Sequence, residues 1–426
     1  MADTNKLRVA LIGIGDRGAE VEMEMAPTGL MEVVALCDAD LGGRHTVYAL
    51  QKYPSARRYS DWRRLFDEMA GQLDAVVVAT PDHSHFPICM RAIAEGVHVY
   101  CEKPVGRTFL ENQLLIEAAK AHPQVVTQMG NQGHTSGAAE RWRVWTEAGI
   151  IKDVTRIDVF MNEVRRWHGY DVGIDRFPSG EAVPDTLDWD QWLSGVAWHD
   201  YSDKFHTMNW RCWYDFGTGA LGDWGAHLFD HAHHYLHLGL PSEVKVHRAD
   251  GWNNFFFPMA STLQFRFPRR GAMPSCDLWW YDGMDNRPEL PEGFEWNPRK
   301  PGYLAPGSVI YSDSYVFQGG HHDQRLKIIP RSLKEQLDPV LPKTPKPQYN
   351  HYESFLRACR GELKTASPFE IACELCQVLC LGVIAQRLGH GFRFDITEKR
   401  IPGDPFADAL LAGPPPRKGW EEYYSL

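Results

Sequence analysis

The 426 residues are 43% apolar and 23% charged, a globular composition too long for one small core, so two domains are expected. A formal net charge of −10 argues against a nucleic-acid partner, which needs a basic surface. No apolar run reaches the roughly 18 residues of a membrane span, so no membrane partner is expected. Nine cysteines occur singly, apart from Cys373, Cys376 and Cys380 in one apolar helical pattern. They read as reduced core thiols of a cytoplasmic protein, with export of the folded chain to the periplasm as the alternative. Lys6 and Arg8 lead directly into a strand, so no signal peptide is read.

The first strand, LRVALIG, runs into a glycine turn and a helix. Gly13, Gly15 and Gly18 form G-x-G-x-x-G: one glycine for the tight turn, one for backbone approach to a pyrophosphate, one for helix–strand packing. Phosphates sit at such a helix N-terminus because its free N–H groups and dipole favour anions. Asp16 and Arg17 lie in the same turn and join the candidate cofactor contacts. The second strand, MEVVALCD, ends at Asp38, 20 residues after Gly18. An acid there accepts both ribose hydroxyls and repels a 2′-phosphate, which favours NAD over NADP. Arg44 is close enough to blur that preference.

Helix and strand patterns then alternate: DWRRLFDEM, LDAVVVATP, HFPICMRAIAEG, VHVYCEKP, ENQLLIEAAKAH and QVVTQMGNQ. Such alternation predicts a doubly wound parallel sheet, with ligands at the carboxyl ends of its strands. Thr80 and Pro81, then Glu102, Lys103 and Pro104, then Asn131 all fall at those ends, and His85 follows closely. These residues are candidate cofactor contacts on one rim. The first domain is expected to cover 1–130 and the second 131–426.

The second domain opens with the helix SGAAERWRVWTEAG, and strands follow at TRIDVFMNE, SEVKVHRA, STLQFRFP and CDLWWYDG. After the first of these strands come Glu163, Arg165, Arg166 and His168, of which Glu163 and Arg166 are candidate substrate contacts. VPDTLDWDQWLSG reads as a rigid connector in which Asp188 or Asp190 caps a short helix. NWRCWYDFG offers Arg211, Trp213 and Asp215 as sugar-binding groups, since tryptophan can cover a pyranose face; an aromatic core is the competing reading. In GDWGAHLFDHAHHYLHLG, a continuous helix places Asp223, His227, Asp230 and His234 within roughly 60° on one face. Asp and His at this spacing also suit zinc or manganese, but the set reads as proton-handling, with no metal. His231, His233 and His237 are expected off that face, at the surface or an interface. Residues 285–309 read as a long Pro/Gly-rich loop, SVIYSDSYVFQGG as a late hairpin, and two C-terminal helices as returning toward the first domain. The tail, GPPPRKGWEEYYSL, is expected to lie across a neighbouring subunit.

The glycine turn, the acid after the second strand, ATPDHSHF, CEKP and GDWGAH together resemble the Gfo/Idh/MocA oxidoreductase family over nearly the whole chain. The resemblance implies an N-terminal Rossmann domain and a C-terminal α/β domain whose open, mostly antiparallel sheet forms a homo-oligomer interface. It also implies NAD or NADP, a carbohydrate or cyclitol substrate, and a Lys103–Pro104 peptide that is often cis. On it, Lys103 is the catalytic lysine, and Asp223 and His227 are the acidic and imidazole partners.

The chemistry agrees. Taking hydride from a secondary alcohol also requires taking the hydroxyl proton, so a base must lie within hydrogen-bond reach of that oxygen. The sequence therefore predicts an NAD-dependent oxidoreductase acting on a sugar or glycoside hydroxyl. The same groups serve an NAD-dependent glycosidase that oxidises C3 transiently, eliminates the aglycone and returns the hydride. A non-catalytic NAD or sugar sensor of this fold would dispense with Lys103 and His227.

Overall fold

A computed structural model of the chain describes residues 6–163, 173–174, 176–206, 208–297, 299–300 and 302–426. Six parallel strands form the first sheet, in the order β3-β2-β1-β4-β5-β6. They are β1 (Leu7–Ile12), β2 (Met31–Cys37), β3 (Arg57–Tyr59), β4 (Ala75–Val78), β5 (His98–Cys101) and β6 (Thr127–Met129). This is the doubly wound dinucleotide-binding order, whose crevice opens outside the carboxyl ends of β1 and β4, where the strand order reverses. β1 and β4 are apolar almost throughout because helices cover both faces. The sequence reading passed over β3 because its two arginines are exposed and leave no apolar run.

The second sheet has eight strands in the order β13-β12-β11-β7-β10-β9-β8-β14. They are β7 (Val154–Met161), β8 (Glu243–Asp250), β9 (Ala260–Phe267), β10 (Cys276–Asp282), β11 (Gly307–Ser312), β12 (Val316–Gly319), β13 (Lys327–Ile329) and β14 (Phe392–Arg393). Every pairing is antiparallel except β7 with β10. β10 shows why one face stays open: Cys276, Leu278 and Trp280 are buried, while Asp277, Trp279 and Tyr281 alternate with them half-buried. Helices Gly219–Leu228 and Phe369–Leu388 cover the other face.

The C-terminal helices complete the first domain rather than the second alone. Phe369–Leu388 packs along Phe109–Ala121, and His351–Cys359 packs against Asp16–Met25. The former is long and apolar enough to cross a membrane, yet 78% of its most apolar window is buried inside the protein. Its cysteines are core residues, and all nine cysteines of the chain are free thiols. The tail packs on its own chain. Trp420 and Tyr423 pack onto Trp62 of the same chain, with ring centroids 5.8 and 5.2 Å apart, because their large apolar rings find a partner there.

His351 locks the C-terminal segment to the edge of the first sheet. Its Nε2 lies 2.7 Å from the Met129 carbonyl and its Nδ1 2.8 Å from the Thr135 hydroxyl. A carbonyl only accepts, so Nε2 carries the proton and Thr135 donates to Nδ1. Burial holds the folded-state pKa down at about 4, below the ordinary 6.5. The unfolded chain therefore binds the proton first as pH falls, so this contribution is complete above about pH 6.5 and is lost toward pH 4. His351→Gln is expected to lower stability near neutrality but to flatten its fall between pH 6.5 and 4, read as the urea midpoint against pH.

Candidate functional site

The glycine turn leaves β1 where the sheet's strand order reverses. Gly13 has φ +81°, and a Cβ on it would lie 2.6 Å from the Ala79 carbonyl carbon. A Cβ on Gly18 would lie 2.0 Å from the Gly13 oxygen, so the first helix turn packs directly on the loop. The loop lines a cleft of about 380 Å³ that runs past Asp16, Arg17, Asp38, Thr80 and Pro81. Asp38 accepts from the Ile14 N–H at 3.1 Å and the Asp40 N–H at 3.0 Å, and lies 3.4 Å from His45 Nε2. A carboxylate has about four acceptor positions. Asp38 thus has less room for two ribose hydroxyls than the sequence reading assumed, while its charge still faces the cleft. The bond to Asp38 raises the His45 pKa above its ordinary value, and His45 shares this wall of the cleft with Arg44.

The rim residues divide into two kinds. The Thr80 hydroxyl and the Asn131 amide nitrogen are buried with no hydrogen-bond partner, and Asn131 Oδ1 accepts from Ser367. By contrast, His85 is buried with its two ring nitrogens 2.8 Å from the Thr80 and Pro104 carbonyls, so it braces the rim from behind. Glu102 is also a brace: its carboxylate pairs with Arg17 Nε at 3.0 Å. Arg17 in turn donates to the Tyr352 hydroxyl at 2.8 Å; burial works to lower its pKa, but the Glu102 carboxylate beside it holds it above the ordinary arginine value.

Lys103 stands at the end of β5, and its peptide to Pro104 is cis. Its ammonium donates to Asp223 Oδ1 at 2.5 Å, with side-chain exposures of only 14% and 4%. The link reaches from the first domain to helix Gly219–Leu228 of the second. Asp82 makes a parallel link, accepting from the Thr218 N–H at 3.1 Å and the Thr218 hydroxyl at 2.6 Å just before that helix. His227 lies one turn beyond Asp223, and its Nδ1 is buried without a partner. Burial first, then the charge of Lys103, holds its pKa well below 6.5, so its ring is neutral.

The predicted four-residue stripe does not stay on one helix. The helix ends at Leu228 and a second begins at Asp230, so Asp230 turns to His134 instead, 2.8 Å away. His231 and His233, expected at the surface, are buried with Nε2 3.0 and 3.1 Å from the Gly133 and Gly239 carbonyls. Among the described residues no three His, Cys, Asp or Glu side chains converge as metal ligands.

The expected sugar-binding groups scatter. Arg211 lines the cleft, with its guanidinium 4.1 Å from the Trp210 ring centre and 3.8 Å from Asp82. Trp213 is fully buried in an aromatic core with Phe177, Phe205 and Phe256, donating to the Lys204 carbonyl, so it offers no face to a sugar. Asp215 pairs with His199 at 3.0 Å on a separate small cavity beside Arg107. Glu163 accepts from the Tyr303 hydroxyl. Arg165, Arg166 and His168 lie outside the described residues.

Three features escaped sequence reasoning. Asp82 stood inside ATPDHSHF but had no partner until Thr218 was in place. His321 and His322, at the end of the late hairpin, meet His227 and Trp224 only in three dimensions. The supposed connector is also a cover: Gln191, Trp192, His206, Met208 and Trp210 close over the cleft, and Asp188 caps Trp189–Leu193 while its N–H donates to the Ala39 carbonyl.

A dinucleotide fits this donor set. The glycine cradle, the helix N-terminus at Asp16, the orphaned Thr80 hydroxyl and the acid at Asp38 match pyrophosphate and ribose. Residues 7–129 match the family model described as "Oxidoreductase family, NAD-binding Rossmann fold", and residues 141–252 match its C-terminal alpha/beta domain. Similar curated proteins include a glycosyl hydrolase family 109 protein of Stenotrophomonas maltophilia, 34% identical over 116 residues that span 25% of each chain. An inositol 2-dehydrogenase of Salmonella typhimurium is 29% identical over 29% of this chain and 36% of its own. This chain thus spans well under half the length of these relatives. The WlbA dehydrogenase of Bordetella pertussis, solved with NADH and UDP-GlcNAcA, shares the fold at a TM-score of 0.60 and 16% identity, over 92% of this chain and 99% of its own. With the two family models covering more than half of its length, this chain belongs to the Gfo/Idh/MocA oxidoreductase family and carries its NAD-binding domain.

Proposed function

We propose that this protein transfers hydride between a secondary hydroxyl of a sugar or glycoside and NAD. The observation that carries this reading is the Lys103–Asp223 pair, which brings an ammonium and the neutral His227 imidazole to the carboxyl end of β5, beside the cleft. The bound nicotinamide supplies the hydride acceptor. Lys103, held by Asp223, donates a hydrogen bond to the substrate oxygen and steadies its developing negative charge. His227, kept neutral by burial, accepts the hydroxyl proton. Arg211, on the cleft near Asp82, and Glu163, whose charge acts on His321, are our candidates for other hydroxyls. Similarity to proteins named for inositol and levoglucosan oxidation supports a carbohydrate substrate.

The cover of Trp192, His206, Met208 and Trp210 favours a second reading. A cofactor so enclosed would stay through the cycle, as a glycosidase that oxidises and re-reduces its substrate requires, and one similar protein is a glycosyl hydrolase. A screen of sugars, cyclitols and aryl glycosides separates the two: NADH accumulation marks the dehydrogenase, and aglycone release without it marks the glycosidase. We further propose self-association through the open face of the second sheet, where Trp279, Tyr281 and Tyr311 are half-buried around Arg156.

Three outcomes are expected. Lys103→Ala should cut turnover by about 10²-fold or more while NAD still binds; near-normal turnover would remove the lysine from the mechanism. Asp38→Ala should weaken NAD roughly tenfold, about one lost hydrogen bond, and strengthen NADP through Arg44. Titration of both dinucleotides reads this directly, and an unchanged preference would contradict it. Trp279→Glu should shift sedimentation toward the monomer, whereas a wild type that is already monomeric would refute the interface.

A further inference from the structure

The late hairpin brings two adjacent histidines to the site, and their hydrogen bonds fix which ring nitrogen carries the proton. Gln324 Nε2 is an amide donor and lies 3.3 Å from His321 Nε2, which must accept. A neutral His321 then carries its proton on Nδ1. That Nδ1 is 2.6 Å from His322 Nδ1, so His321 donates and His322 accepts. His322 is left with its proton on Nε2. The chain of bonds makes His322 a one-way donor.

Packing fixes the ring's place as firmly. His322 has φ +52°, a left-handed conformation uncommon outside glycine and asparagine. The strain is held by neighbours: Ser136 Oγ donates to the His322 carbonyl, and a Cβ on Gly133 would come within 3.1 Å of His322 Cα. The imidazole lies on His227, centroid to centroid 4.3 Å, and Trp224 walls both histidines of the hairpin at 5.4 and 6.0 Å. It is only half-buried, so it has a face for a ligand. The charged and titratable groups around it are Lys103, Arg17, Asp223, His321 and His227, with Glu163 acting on His321. Burial, the neighbouring His321 and the two cations lower its pKa to about 4, so the ring is uncharged at neutral pH.

We propose that His322 is a substrate-binding residue: a neutral imidazole, held by His321 and Gln324 in the Nε2–H form, that donates to an uncharged hydroxyl or carbonyl oxygen of the substrate beside the carbon that reacts. The proposal rests on the carbohydrate reading above and adds to it the residue that selects an oxygen acceptor.

Two experiments test it, the first without any substrate. In histidine-labelled holoenzyme, ¹⁵N NMR should show His322 protonated on Nε2 and bare on Nδ1 at neutral pH. Gln324→Leu and His321→Leu should release it to a mixture of both forms. A wild-type His322 that is protonated on Nδ1 or charged overturns the proposal. The second is binding of myo-inositol, levoglucosan and 4-nitrophenyl glucoside to the holoenzyme. His322→Gly suits the left-handed backbone and should weaken binding roughly tenfold, the worth of one neutral hydrogen bond, with a small effect on kcat. His322→Asn, whose amide also donates, should recover part of the loss. Unchanged affinity in His322→Gly, or a wild type that binds none of the three, overturns the assignment. Binding without NADH formation or aglycone release would leave His322 as the donor and count instead against the proposed hydride transfer.

Discussion

An ammonium and a carboxylate removed from water and facing each other across two domains set the terms for everything around them. Burying either charge alone costs several kcal/mol, and the contact between Lys103 and Asp223 repays that only with close geometry. The pair therefore holds the end of β5 and the helix Gly219–Leu228 in one relative position. Asp82 with Thr218, and Arg17 with Glu102 and Tyr352, are further polar links that tie the Rossmann domain to later parts of the chain. All three lie near the carboxyl ends of β1, β4 and β5. Polar groups there anchor the cleft in place of apolar packing that would fill it.

Burial and the same cations together decide the state of the histidines. Desolvation most of all disfavours a charged ring, and Lys103 and Arg17 disfavour a third positive charge further, so His227 and His322 remain neutral. A site for alcohol oxidation needs this division. One fixed cation stabilises oxygen as it becomes negative, and uncharged imidazoles beside it accept or donate protons without repelling that cation.

Much of this was legible in the sequence, for local reasons. Gly13 and Gly18 are required by contacts within one turn, and Lys103 and Asp223 sit at motif positions whose place on a strand end or helix start follows from nearby residues. Trp213 and Asp215 misled because the local sequence shows that a side chain is aromatic or acidic but not which way it faces. A short helical turn at Asn209–Cys212 sends Trp213 inward and leaves Arg211 on the cleft. The stripe from Asp223 to His234 failed because helical periodicity assumes an unbroken helix, and this one restarts at Asp230. His321 and His322 were invisible because their significance is set by contacts with residues nearly a hundred positions away.

The tryptophan-rich middle of the chain has a consequence for recognition. Trp189, Trp192, Trp210 and Trp213 build a small aromatic core of their own, and its edge covers the dinucleotide side of the cleft. The groups gathered around Lys103 are of another kind: His227, His321 and His322 stand there, with Glu163 and Tyr303 near His321 and, among the described residues, Trp224 as an aromatic wall. On the proposed function, apolar enclosure falls on the cofactor and hydrogen bonding on the substrate. A site arranged this way discriminates by the direction of hydroxyl groups more than by ring shape, because a buried donor left without its acceptor costs more than a poorly stacked ring.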